Sequence, residues 1–240
     1  ITAAYPQNKV TKKFLNELKI NKIKDLGNLK LVENTYDKQD YINNKLNIQF
    51  KKYKTWIAAS THTNEEVFCA KAHIELKKKN KNLITIIIPR HVHRVQDIIS
   101  QIQKLNLKVV THSSKMKTLK NVDIYIVDTF GDSQKFFKIS NTVLMGKFLI
   151  TKGSQNPLEA VRYGAKILHG PNFDNFTDIF KLLKSLKISK RITSIRQLIT
   201  EITFKKDMRR GLKIKKIGVL ILKKTLKELE IYINNEPKKT

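Results

Sequence analysis

The sequence has one cysteine, one tryptophan, five prolines and eight glycines in 240 residues. A single cysteine, Cys69, excludes any disulfide within the chain, and a reducing compartment is the simple expectation. Cys69 itself reads as a buried small apolar residue rather than a reactive thiol. Long apolar runs are also missing. The longest, Leu83–Pro89 and Ile217–Leu222, fall far short of the ~20 residues that a membrane-spanning helix needs. Nothing at the start resembles a signal peptide. The chain begins at Ile1 rather than Met and is expected to be a fragment.

Acidic residues are scarce: 20 Asp+Glu stand against 48 Lys+Arg, for a formal charge of +28. Arginine is scarce too, at 7 of those 48. Arginine is the residue that reads bases and phosphates bidentately. The lysines are spread along the chain among Ile and Asn, which speaks against a focused nucleic-acid patch. The charge still favours an anionic partner, either a membrane surface or nucleic acid. The sequence contains no Walker loop and no G-x-G-x-x-G, so an NTPase or nicotinamide enzyme is not expected. It has no G-x-S-x-G elbow, which weakens any serine-nucleophile reading of Ser60-Thr61-His62. His91-Val92-His93, with His62 and His112, lacks acidic or Cys partners at metal-ligand spacing, and no metal is expected. There is no internal repeat, and Lys77–Lys81 reads as a solvated helix end.

What is present is a 40% hydrophobic composition, enough for a real core. Residues 1–50 carry too little apolar material to close a core alone. A helix is expected at Asn8–Leu18, a short strand at Asn21–Leu26 and a turn at Gly27–Lys30. The polar stretch from Asp37 to Lys54 reads as a linker with a weak helical pattern. From Lys54 strands and helices alternate. Trp56–Ala59, Leu83–Ile88, Lys108–Val110, Asp123–Val127 and Val143–Met145 read as strands. Leu83–Ile88 is β-branched and unalternating, as a strand buried on both faces requires. Helices are expected from Glu65, with Val67, Ala70 and Ile74 on one face and Asn64 as its cap. Others are expected over Val92–Leu105, Ser133–Ile139 and Asp174–Leu186. The rhythm implies an α/β fold with a doubly wound parallel sheet. The tail reads as helices at Ser194–Thr203, Lys206–Lys216 and Gly218–Ile231. The last has an apolar stripe of Leu220, Leu222, Leu226, Leu229 and Ile233, expected to pack on the domain.

In such sheets ligands sit beyond the carboxyl ends of the strands. Polar residues gather at four of those ends: Ser60-Thr61-His62, Pro89-Arg90-His91, Asp128-Thr129 with Gly131, and Gly153 with Asn156 and Glu159. Within residues 144–173 a strand, a loop with Gly153 and Ser154, a helix and a second strand follow each other. Asn156 suits the N-cap of that helix, Pro157 its first position, and Glu159 its first turn. A glycine-bearing loop feeding a helix N-terminus is a ready anion site, and Glu159 is placed to accept sugar hydroxyls. The bland alternative is an ordinary capped helix after a turn.

Taken in order, these segments resemble the 3-deoxy-D-manno-octulosonic acid (Kdo) transferases of lipid A biosynthesis. Gly27–Lys30 is similar to the family's GNLK turn, and Trp56–Glu66 to its W-x-A-x-S-T-H-x-G-E-E segment. Pro89-Arg90-His91 with Arg94 is similar to P-R-H-x-x-R, Asp128–Asp132 to D-T-M-G-E, Gly153–Glu159 to G-G-H-N-P-L-E, and His169–Phe176 to G-P-x-x-x-N-F.

The resemblance implies the C-terminal, Rossmann-like donor domain of a GT-B glycosyltransferase. Residues 1–35 would end the N-terminal acceptor domain, 36–53 link, 54–215 bind the donor, and 216–240 cross back to the N-terminal domain. The implied reaction moves Kdo from CMP-Kdo to the lipid A precursor, at the cytoplasmic face of the bacterial inner membrane, with no cofactor beyond the donor.

By the same resemblance Pro89, Arg90, Phe130, Gly131, Asp132, Asn156, Pro157, Leu158 and Glu159 hold CMP. Ser60, Thr61, His62, Glu65 and His91 are further donor contacts. Lys30 stabilises the transition state. The family's general base is a glutamate of the N-terminal domain, a region this chain does not contain, so donor binding without transfer is expected. Its partners would be CMP-Kdo, the acceptor lipid, an anionic membrane surface and that N-terminal domain, with no nucleic acid.

The chain departs from the pattern at Ser154 and Gln155, at Gly146-Lys147-Phe148 where the family has Gly-Gly-Ser, at Asn64 for glycine, and at Phe130 and Asp132. Two other readings stand beside this one. One is a non-catalytic basic domain for nucleic acid or anionic lipid. The other is a GT-B enzyme for a different nucleotide sugar.

Overall fold

The computed structural model describes residues 3–32, 42–147, 149, 155–173 and 176–234. In chain order the elements are α1 (Lys9–Glu17), a 3-10 turn (Leu29–Leu31), α2 (Asn44–Phe50), β1 (Lys54–Thr61), α3 (Glu65–Lys79), β2 (Leu83–Pro89), a 3-10 turn (Val92–Arg94) and α4 (Val95–Gln103). There follow β3 (Val109–Thr111), β4 (Ile124–Ile126), α5 (Ser133–Phe137), β5 (Thr142–Met145), α6 (Leu158–Arg162), β6 (Lys166–His169), α7 (Thr177–Ser185), β7 (Ser189–Arg191), α8 (Ile195–Glu201) and α9 (Arg209–Asn234). The chain divides into two compact units, one of residues 1–37 with 212–240, the other of residues 38–211.

In the larger unit seven strands form one sheet in the order β3-β4-β2-β1-β5-β6-β7, every pair parallel. This is the doubly wound fold expected from the sequence. All seven residues of β2 are buried, as β-branched residues covered on both faces should be. Successive side chains of a strand face opposite ways. Trp56 and Ala58 of β1 therefore pack with Cys69, Leu76, Leu144 and Leu198 on one side of the sheet. Ile87 pairs with Ala58 and so faces the same side, where it meets Ile124 and Ile126 and, from α4, Val95, Ile98 and Ile102. Cys69 is buried, and burial pushes its thiol well up, with Glu65 and Glu66 adding to the shift. It is the inert apolar residue expected.

The polar stretch read as a linker carries α2, and Ile42 and Phe50 are buried. The Phe50 ring meets Tyr125 edge-on at 5.2 Å and Phe136 at 6.2 Å. Helix α3 buries Cys69, Ala70, Ala72, His73 and Leu76, while the expected Val67 and Ile74 are only half-buried. Asn64 precedes it at φ +70° and makes no side-chain cap bond. It supplies the left-handed bend that glycine would, rather than the expected cap. Strand β7 was not anticipated, because Ser-Lys-Arg has no apolar signature.

In the smaller unit, Asn21–Leu26 makes only the isolated parallel bridge Ala4–Ile23 in place of a strand. The expected break between the last two helices is absent: α9 runs through Gly218 as one 26-residue helix. Its packed side is also not the expected one. Leu220, Leu226, Leu229 and Ile233 are exposed, while Ile214, Gly218, Ile221 and Glu228 are buried. Gly218 explains the choice. A Cβ there would lie 2.4 Å from the Leu31 carbonyl oxygen, so the glycine lets the backbone itself approach. Glu228 is then held by the Lys24 ammonium at 2.7 Å and the Tyr5 hydroxyl at 3.2 Å. Among the described residues no helix is long and apolar enough to cross a membrane.

Candidate functional site

The strand order sets the carboxyl ends of β4, β2, β1 and β5 side by side. Three of the four polar clusters read from the sequence lie at the ends of β1, β2 and β4. At the end of β1 the register against β2 slips between Ala59 and Thr61, and Ser60 takes φ +54°. The Thr61 carbonyl then accepts the Arg90 N–H at 3.0 Å, which seats the Pro89-Arg90 turn on β1.

Two adjacent carboxylates at the start of α3 hold the neighbouring loops. Glu66 accepts the Thr61 hydroxyl at 2.8 Å and the Arg94 guanidinium at 3.1 and 3.3 Å. It joins the β1 end to the turn after β2. Glu65 accepts backbone N–H groups of His62 at 2.9 Å and of Lys147 and Leu149 at 3.0 Å each. It joins the β1 end to the loop after β5. Thr61 and Glu65 are both fully buried. Expected as donor contacts, they tie the neighbouring loops together in this structure. Glu66 was missed. Its signal was a Glu-Glu pair directly after a strand end, within reach of Arg94.

Above this bonded layer stand cations and imidazoles. The His62 and His91 rings lie 5.8 Å apart, and His91 and His93 5.6 Å. Burial, then Lys147, His91, Arg94 and Arg90, hold the His62 pKa below its ordinary value. Its Nε2 is buried without a hydrogen-bond partner among the described residues. Arg90 and His91 are exposed, and Pro89 is buried. An imidazole held towards its neutral form beside Lys147, Arg90 and Arg94 is suited to an incoming anion. Among the described residues no group of three or more His, Cys, Asp or Glu is placed to hold a metal ion.

Beyond β4, Phe130 is 82% exposed and Gly131 has φ +83°, so the turn presents backbone and ring outward. Asp132 faces inward. It accepts the Thr129 hydroxyl and the Lys135 ammonium at 2.7 Å, with His112 Nε2 3.8 Å away. Burial works to raise its pKa, but the bonds from Lys135 and Thr129 prevail and the carboxyl falls below its usual range. Under the turn, His112 Nδ1 bonds the Tyr125 hydroxyl at 2.7 Å.

Helix α6 starts at Leu158 and has five residues, with Pro157 at the N-cap position rather than the first helical one. Asn156 still caps by side chain, accepting the Leu158 N–H at 3.1 Å. So short a helix sums few peptide dipoles, and its start is a weaker anion site than expected. Glu159 is half-buried in its first turn, and Leu158 is buried. Gly153 and Ser154 lie outside the described residues, as does Phe148. Lys30 belongs to the smaller unit. There its N–H bonds the Asn28 side chain at 3.0 Å, and it lines a cavity of about 380 Å³ with Tyr5, Gly27 and Leu229.

The departure at Lys147 has a structural consequence. Lys147 sits at φ +67°, a region glycine enters freely and lysine does not. The preceding Gly146 is irreplaceable on space alone: a Cβ there would lie 2.0 Å from the Ser60 carbonyl oxygen.

No protein-family model matches the chain. It is 29% identical over 163 residues to the 3-deoxy-D-manno-octulosonic acid transferase of Haemophilus influenzae, covering 68% of this chain and 38% of that protein. The Rickettsia typhi enzyme of the same name is 31% identical over 167 residues, 69% of this chain and 36% of that one. The Rickettsia conorii enzyme is 27% identical over 222 residues, 91% and 48%. The chain thus spans less than half the length of these relatives. The solved C-terminal CMP-Kdo binding domain of WaaA from Acinetobacter baumannii covers 73% of this chain with 91% of its own, at a TM-score of 0.60 and 19% identity, a likeness that establishes the fold. This chain is thus similar in sequence to the 3-deoxy-D-manno-octulosonic acid (Kdo) transferases over less than half of their length, and in fold to the solved C-terminal domain.

Proposed function

We propose that this chain is the donor-binding part of a GT-B Kdo transferase, holding CMP-Kdo while the sugar passes to a lipid A precursor at an inner-membrane surface. The observation that carries this reading is the cluster at the ends of β1 and β2. His62 Nε2, unbonded among the described residues, stands beside Arg90, His91, Arg94 and Lys147, on loops tied together by Glu65 and Glu66. A CMP-sugar leaves behind a nucleoside monophosphate, so its departure needs developing negative charge stabilised. Arg90 offers a planar donor fork for that phosphate. Pro89 seats the fork, and Ser60 shapes the strand end beside it. The exposed Phe130-Gly131 turn offers backbone groups to the base. Glu159, with Asn156, Pro157 and Leu158 ordering its turn, accepts ribose hydroxyls. Lys30 keeps the transition-state role that the resemblance gives it. Deprotonation of the acceptor hydroxyl needs a general base, which we assign to the N-terminal part of the family's architecture.

Calorimetry with CMP tests the donor site without requiring transfer. The reading predicts saturable binding, weakened at least tenfold by Glu159→Ala and unchanged by Glu75→Ala, a substitution on an exposed face of α3. Absence of binding at millimolar CMP in a folded sample, or equal effects of the two substitutions, refutes it. A panel of UMP, UDP and GDP separates CMP from other donors. Indifference to CMP with salt-sensitive binding to any polyanion favours a general anion-surface protein.

A further inference from the structure

A second concavity in the larger unit combines chemistry that donor binding does not use. It is a cavity of about 430 Å³ where α7 meets the carboxyl ends of β6 and β7. That volume falls within the range of small-molecule sites. Part of its lining is an aromatic cluster. The His169 ring lies 4.4 Å from Phe180 and 5.2 Å from Phe173, and the two Phe rings are 5.4 Å apart. His169 and Phe180 are buried, and Phe173 is half-exposed. His169 Nδ1 meets the Gly170 carbonyl at 2.7 Å, and because a carbonyl only accepts, Nδ1 carries the proton. The rings are therefore held in place before any ligand arrives.

The rest of the lining is cationic. Lys181 and Lys184 come from one face of α7, and Lys190 and Arg191 from β7, with no carboxylate among the described lining residues. Lys190 has Glu201 at 3.9 Å. Arg191 and Lys184 both reach His169: after burial, they are what holds its pKa below the ordinary value. Ser189 shares the strand face of Arg191, lines the same cavity, is 8% exposed, and its hydroxyl has no hydrogen-bond partner among the described residues. A buried hydroxyl left unbonded costs free energy that a ligand oxygen would recover.

We propose that this cavity binds an organic phosphate ester. Its phosphoryl group lies between Lys184, Arg191 and the Ser189 hydroxyl, and its carbon portion lies against Phe173 and Pro171. The guanidinium supplies two parallel donors to phosphate oxygens, and the ammonium supplies a point charge. The aromatic wall favours an ester over inorganic phosphate. The ester is either a soluble metabolite or the headgroup of an anionic lipid, and both present the same group.

The test is residue-resolved NMR titration of the whole chain with glycerol 3-phosphate and with inorganic phosphate, alongside co-sedimentation with phosphatidylglycerol or phosphatidylcholine vesicles. Lys184→Ala with Arg191→Ala removes two exposed cations from the cavity. Lys71→Ala with Lys213→Ala removes two exposed cations elsewhere and keeps the net charge matched. The proposal expects saturable shifts at Ser189 and Arg191, tighter for glycerol phosphate than for phosphate, and at least tenfold weaker in the cavity pair only. Saturation by glycerol phosphate supports a soluble ester. Cavity-dependent sedimentation with phosphatidylglycerol alone supports a lipid headgroup. Non-saturating shifts without cavity-dependent sedimentation, or equal losses in both variant pairs, overturn the proposal. CMP binding in the same samples reports separately on the donor site, so either reading fails without the other.

Discussion

The Glu65 carboxylate accepts the backbone N–H of Lys147 at 3.0 Å, although 82 residues separate them. The same carboxylate takes the N–H groups of His62 and Leu149, and it is fully buried. One side chain at the start of α3 therefore sets the path of the chain after β5. Glu65→Ala strands three backbone donors and should cost about 3 kcal/mol. Glu65→Gln keeps one accepting oxygen and should cost less, while the loop shifts. Urea unfolding gives the stability order, and calorimetry on the folded Gln variant should show weaker CMP binding. Unchanged CMP affinity in that variant would mean that the β5 loop does not shape the site.

Lys147 itself carries the opposite opportunity. At φ +67° its backbone strain is roughly 1 kcal/mol, which Lys147→Gly relieves at some cost in unfolded-chain entropy. The charge effect is cleaner. Lys147 is one of the groups that hold His62 below its ordinary pKa, second to burial. Lys147→Gly should therefore raise the His62 pKa, read from its ring resonances across pH 4–8. Loss of that cation from the cluster should also weaken CMP binding. A His62 titration that does not move would remove Lys147 from the site.

The sheet and the strand-end clusters were legible because they rest on local chemistry. Buried β-branched runs such as Leu83–Pro89 declare a parallel strand, and Pro89-Arg90 or Asp128-Thr129 declare the turn that follows. What was not legible depends on partners distant in sequence. Nothing local to Glu65 distinguishes a ligand contact from a loop latch, since two of the three N–H groups it serves belong to Lys147 and Leu149. In α9 two apolar stripes compete, and Gly218 settles the matter only through Leu31, nearly 190 residues earlier. The short α6 was overestimated because Asn-Pro-x-Glu signals a helix start and says nothing about its length.

At the opposite, amino ends of the strands, a buried pair fixes the acid sensitivity of the fold. Asp123 accepts the Lys77 ammonium and the Lys108 N–H, and His73 Nε2 lies 3.5 Å away, with its Nδ1 on the Thr85 hydroxyl. Burial opposes ionisation of Asp123, yet nearby His73 and the bonds from Lys77 and Lys108 hold its pKa well below the ordinary carboxylate value. Burial is the main cause that lowers His73, against the pull of Asp123. Both shifts are depressions, so the unfolded chain binds protons first as pH falls. Stability should decline from about pH 6.5 as unfolded His73 protonates, and again below about pH 4 through Asp123. Asp123→Asn should flatten the lower part of the urea midpoint against pH and lower the plateau at pH 7. A curve of unchanged slope below pH 4 would place the acid sensitivity elsewhere.

Two glycines of the site should respond to the same added methyl with different losses, one mainly of stability and one mainly of binding. At Gly146 the Cβ would meet the Ser60 carbonyl oxygen at 2.0 Å, and Gly146 N–H bonds Ala59 at 2.7 Å, so neither backbone has room to retreat. Gly146→Ala should cost about 3 kcal/mol and separate the ends of β1 and β5. At Gly131 nothing lies within 4 Å, and only φ +83° resists the change. Gly131→Ala should cost about 1 kcal/mol while stiffening or redirecting the Phe130 turn. Denaturant unfolding should rank the two, and CMP calorimetry should show a defect for Gly131→Ala larger than its small stability loss explains. A Gly131→Ala protein that binds CMP normally would detach the β4 turn from base recognition and leave Arg90 and Glu159 to carry the nucleotide.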